Sequence, residues 1–126
     1  MSFDYLVDFL SVEHEVVLSM AVYVFNSVRY RKSASALLSI VKAERSYATL
    51  PALGAIRLNG HPSFASEIID ACDGTRLRED DMDLVAEVLV TIAKEEAREF
   101  GRRHSGSDVS FRRLLAYHIL RLLKVG

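Results

Sequence analysis

The stretch that most constrains this chain is residues 81–101, DMDLVAEVLVTIAKEEAREFG. Met82, Val85, Ala86, Leu89, Ala93, Ala97 and Phe100 recur at helical spacing and make one apolar stripe. Leu84, Val88, Val90 and Ile92 widen it until the first half is apolar nearly all round, the pattern of a central helix touched on several sides. The end charges suit the helix dipole: Asp80, Asp81 and Asp83 open the stretch, and Arg98, Arg102 and Arg103 close it. Gly101 and Gly106 are expected to stop it. The rest of the chain must supply surfaces that cover such a helix. The expectation is an all-α, compact single-domain bundle of five or six helices spanning 1–126.

Composition agrees. A chain of 126 residues is one domain by length, and 50% hydrophobic residues can build a core. Two prolines and six glycines are few for a loop-rich β protein. Cys72 is the only cysteine, which excludes an internal disulfide framework and a four-cysteine zinc site and points to a reducing, cytoplasmic setting. The N-terminus, MSFDYLVDFLSVEHE, carries acids where a signal peptide needs positive charge. The longest apolar run, Val16 to Phe25 broken only by Ser19, is about half a membrane span, so no membrane partner is expected.

In chain order, Phe3, Leu6, Val7 and Leu10 share one face of a short helix or docked arm. Ser11 is the expected N-cap of a helix over 12–30. There Val16, Met20 and Val24 line one side, and Leu18, Val22 and Phe25 line another. Either both sides are buried in one chain, or one packs against a second subunit. The expected state is a homodimer. Ser33 or Ser35 caps a next helix ending by Leu50, because Pro51 disfavours helix at the residue before it. Residues 51–61 then read as an irregular connection with a turn at Asn59-Gly60. Pro62 opens a short helix with Phe64, Ile68 and Cys72 four apart, ended by Gly74. A polar loop at 102–107 precedes the last helix, capped by Asp108 or Ser110 and running to about Lys124. Phe111, Leu114, Leu115, His118, Leu122 and Val125 form its inward stripe, with Arg113, Tyr117, Arg121 and Lys124 opposite.

The chemistry-bearing residues are sparse. His14, His61, His104 and His118 are scattered, no CxxC is present, and no Glu has a His three residues later, so neither a metal nor a cofactor is expected. Glu95 and Glu99 read as a solvated face bonded to Arg98 or Arg102. Cys72 reads as a small buried hydrophobe and His118 as a core histidine. No GxSxG elbow or Gly-rich phosphate loop occurs.

Charge is blocked along the chain. Residues 1–28 carry four acids and no Lys or Arg, and 67–99 are net −7. Residues 29–57 and 102–126 are each net +5. The two basic blocks nominate Arg29, Arg31, Lys32, Arg102, Arg103, Arg112, Arg113 and Arg121 as phosphate contacts. Lys124 belongs with them, and Tyr30 and Tyr117 are interleaved as stacking surfaces. The competing reading is surface charge balanced by the acidic block 79–99.

Two resemblances bear on function. Arg113-Leu-Leu-Ala-Tyr-His118 resembles the Arg-to-His spacing of HEPN helical-bundle ribonucleases, which implies metal-independent RNA cleavage by Arg113 and His118. Leu114 replaces the polar residue usual after that arginine, and the pair lies about 140° apart around a straight helix. Tyr47-Ala-Thr-Leu-Pro-Ala-Leu-Gly-Ala-Ile-Arg-Leu-Asn-Gly60, with Ala65 after it, resembles the small α-helical subunits of type III CRISPR effector complexes over about a fifth of the chain. His61-Pro62 stands where leucine usually follows. This resemblance implies a non-catalytic subunit of a ribonucleoprotein that touches RNA or DNA through basic residues. The favoured expectation is such a binding subunit. The alternatives are the ribonuclease and a homo-oligomeric protein-interaction module that uses Val16 to Phe25.

Overall fold

The computed structural model describes residues 3–11, 14–43, 48–73 and 79–125. All regular structure among them is helical: eight α-helices and two 3₁₀ turns, at Arg31–Ser33 and Pro62–Phe64. The chain divides into two compact units, Met1–Gly60 and His61–Gly126. No described helix is long and apolar enough to cross a membrane.

The first unit holds α1 (Asp4–Phe9), α2 (Glu15–Ser27), α3 (Ala34–Lys42) and α4 (Thr49–Asn59). Helix α2 buries Leu18, Ala21, Val22 and Phe25, an i, i+3, i+4, i+7 stripe. It packs on α4, whose small residues Ala52 and Ala55 let the two backbones approach. The contact is close at Gly54, where a Cβ would stand 2.6 Å from Asn26 Oδ1. Asn26 in turn donates to the Pro51 carbonyl at 3.0 Å. Asn59 closes the other end. Its amide donates to the carbonyls of Phe25 (2.8 Å), Val28 (3.2 Å) and Ala55 (3.1 Å), and its oxygen accepts from the Tyr30 backbone N–H. Phe25 O would otherwise be an orphan acceptor at the C-terminus of α2.

Three expectations change here. Residues 51–61 are not an irregular connection: most of them form α4, with Pro51 in its first turn, where a missing N–H removes no helical bond. Asn59-Gly60 is not a free turn, because burial and hydrogen bonding hold Asn59 inside the last helical turn. Ser11 does not cap α2. Its hydroxyl donates to Asp8 O, and the cap is His14, whose Nδ1 accepts from Val17 N–H at 3.5 Å. Tyr47 and Gly74, used in the sequence reading, lie outside the described residues.

The second unit holds α5 (Ala65–Asp73), α6 (Glu79–Ile92), α7 (Lys94–His104) and α8 (Ser110–Val125). Helices α6 and α7 both pack on α8. The expected continuous helix over 81–101 is broken at Ala93, whose backbone leaves the helical region at φ −150°, ψ 63°. Val90, Thr91 and Ile92 precede the break, and such a β-branched run weakens helix locally. Ala93 N–H still bonds to Leu89 O at 2.8 Å and Ala97 N–H to Ala93 O at 2.9 Å, so Ala93 closes α6 and opens α7 with no side-chain cap. The buried positions keep their spacing through the break but thin out: Met82, Val85, Ala86, Val88 and Leu89 on α6, and only Ala97 and Gly101 on α7. Gly101 does not stop the helix. It is buried mid-helix, where a Cβ would meet Leu120 Cδ2 at 2.9 Å, so it sets the close approach of α7 to α8. The break and α4 raise the helix count above the expected five or six.

Candidate nucleic-acid interface

The site is a groove of about 910 Å³ in the second unit, lined by α7, the turn after it, and α8. Helix α7 contributes Arg98 and Arg102, one turn apart on its outer face. Helix α8 contributes Arg113, Tyr117, Arg121 and Lys124, which recur at i, i+4, i+8 and i+11. The floor is apolar: Leu114, Leu120 and Leu123. Among the described residues no acidic side chain lines the groove.

The cations are held differently. Arg98 donates from Nη1 to both Glu95 oxygens, at 3.1 and 3.3 Å. Arg121 donates to Asp83 Oδ1 at 2.7 Å and lies with its guanidinium carbon 5.9 Å from the Tyr117 ring centroid. Arg113 donates to the Ser107 carbonyl at 2.9 Å, which spans the turn between α7 and α8 and spends no carboxylate. Arg102 and Lys124 are exposed. Among the described residues no carboxylate pairs with Arg102, Arg113 or Lys124. Tyr117 is 57% exposed, an aromatic face between two cationic turns. Exposed guanidinium and ammonium groups can take phosphate oxygens, and such a ring can stack on a base.

The structure thus brings together Arg102, Arg113 and Arg121 of the sequence candidates, and adds Arg98. It leaves out Arg103 and Arg112. Arg103 pairs with Glu99 at 3.1 Å and faces a different depression, beside Pro62 and His104. Arg112 turns to Asp73, with Nε 3.5 Å from the carboxylate. Arg29, Arg31 and Lys32 are exposed in the first unit, with Lys32 Nζ 3.8 Å from Asp4. Tyr30 is committed locally: its hydroxyl donates to Asp4, and its ring stacks 6.2 Å from Phe25.

The inward stripe of α8 is rotated from expectation. Leu115, Ala116, His118 and Ile119 are buried, whereas Leu114 floors the groove. More than half the circumference of α8 is apolar, so its period alone does not say which edge of the stripe faces the core. His118 is 6% exposed, as a core histidine should be. Its Nδ1 stands 2.6 Å from Asp83 Oδ1, yet neither ring nitrogen makes a hydrogen bond among the described residues. Arg113 and His118 do not converge, since one lines the groove and the other lies in the core.

Other reactive groups are quiet. Cys72 is fully buried, and burial pushes its thiol up to about 12. Among the described residues no group of His, Cys, Asp and Glu could hold a metal ion. The fold and groove therefore define a class, an all-helical protein with a cationic, tyrosine-bearing groove. In comparisons with family models, curated proteins and solved structures, the chain matches none.

Proposed function

We propose that this chain is a non-catalytic binding subunit, of the kind that works inside a ribonucleoprotein assembly, and that the α7–α8 groove contacts the phosphates of RNA or DNA. One observation carries the reading: five cations from two helices line one groove, with no acid among its described lining residues, and the groove presents Tyr117. In a chain of net charge −1, that gathering is local. The competing reading, surface charge balanced by acids, accounts for Arg98, Arg103 and Arg121, whose partners lie in the block 79–99, and for Arg112, which faces Asp73. It does not account for Arg102, Arg113 and Lys124. The resemblance of residues 47–60 to small CRISPR effector subunits points the same way.

The test is fluorescence anisotropy with a labelled single-stranded RNA. Arg102→Gln and Arg113→Gln are expected to weaken binding by about fivefold to tenfold each, at unchanged helical circular dichroism. Arg103→Gln, which removes the same charge outside the groove, is expected to weaken it less than twofold. Equal losses in all three variants would overturn the assignment to the groove.

A further inference from the structure

We propose that the outward face of α2 seats a second copy of this chain, packed antiparallel across a two-fold axis. Helix α2 has two apolar sides and buries only one. Val16, Met20 and Tyr23 remain 60%, 66% and 73% exposed at i, i+4 and i+7. Helix α1 extends the patch with Tyr5 and Phe9, which are also exposed. A depression of about 670 Å³ lies on this face, bordered by Leu6 and Phe9 from α1 and by Val16, Met20 and Tyr23 from α2. Scattered exposed hydrophobes need no explanation, but a continuous stripe beside a hollow is the form of a protein-binding surface.

Charge identifies the occupant. Residues 1–28 contain no Lys or Arg, and Arg29 and Arg31 follow at once. Helix α2 therefore has an exposed acid, Glu15, in its first turn and an exposed cation, Arg29, just past its end. A parallel copy would set acid on acid and cation on cation. An antiparallel copy, with its axis between Met20 and Tyr23, sets Glu15 of each chain near Arg29 of the other, and opposes the two helix dipoles. Met20 of one copy then meets Tyr23 of the other over the hollow. A partner of uniform charge would match one end of α2 and repel the other, whereas a two-fold contact needs a self-complementary patch of this kind. Lys32 takes no part, because it already lies beside Asp4.

The experiment is sedimentation velocity on the full chain over a concentration series, without nucleic acid. The wild type is expected to move from monomer to dimer. Met20→Glu is expected to raise the dimer dissociation constant at least about 100-fold with circular dichroism unchanged; Tyr23→Lys serves the same purpose should Met20→Glu not fold. Glu15→Arg and Arg29→Glu should each weaken the dimer about threefold to tenfold, and the double swap should recover most of that loss. A wild type that stays monomeric throughout overturns the proposal. So does an oligomer indifferent to Met20→Glu and Tyr23→Lys, or a double swap no stronger than either single change.

Discussion

Asn59 sits in the last turn of α4 with no exposed surface and holds three carbonyls with the two hydrogens of one amide. Removing it leaves a buried acceptor at Phe25, costing about 1–3 kcal/mol, and a part-buried donor at Tyr30 that costs less. Asn59→Ala is therefore expected to lower stability by roughly 2–4 kcal/mol, read as a fall in the urea midpoint at unchanged slope. A loss below about 1 kcal/mol would mean that water replaces the amide. Cys72 makes a second prediction at this scale. With its thiol pushed up to about 12, only roughly one part in ten thousand is thiolate at pH 8. A disulfide reagent should leave the native protein unlabelled for hours and react at once in denaturant. Rapid native labelling would contradict the burial. The quiet chemistry of Cys72 was legible in the sequence, because it lies on the apolar face of a short helix. The role of Asn59 was not: an Asn-Gly pair signals a turn, and only the approach of α2 turns it into a clamp.

Helix α2 shows how far periodicity carries an argument about an element. Its two apolar sides were visible in the sequence, and the structure buries Leu18, Val22 and Phe25 while exposing Val16 and Met20. Val22 accordingly belongs to the core and not to an interface. Val22→Glu is expected to remove much of the helical circular dichroism by burying an unpaired charge in the first unit, whereas Met20→Glu should keep it. The reverse outcome would mean that the two sides of α2 are exchanged. The break at Ala93 was hidden for a different reason. The stripe Met82 to Phe100 continues in register through it, and no Pro or Gly marks it. Only the change from an apolar first half to the charged segment KEEAREFGRRH hints that two segments face different surroundings. Pro51 misled in the opposite direction, since the same residue that ends a helix also fits a first turn.

At the scale of the molecule, the all-helical class followed from long apolar periodicities with few Gly and Pro. The two compact units did not show, because nothing near Gly60 shifts in composition enough to mark a boundary. The basic block 102–126 located the groove in sequence, but the block alone could not divide its arginines. Arg112 and Arg113 are adjacent, so helical geometry swings them about 100° apart. One meets Asp73 and the other lines the groove.

The central claim is that this groove reads phosphates. The most direct test measures affinity for labelled single-stranded RNA and duplex DNA across a salt series. Five cations predict that log K falls with log salt at a slope no steeper than about −3.5 on a single strand, and that Arg113→Gln reduces it by about 0.7. No binding at low salt, or binding whose slope is indifferent to Arg113→Gln, would contradict the account and leave a protein partner as the occupant of the groove.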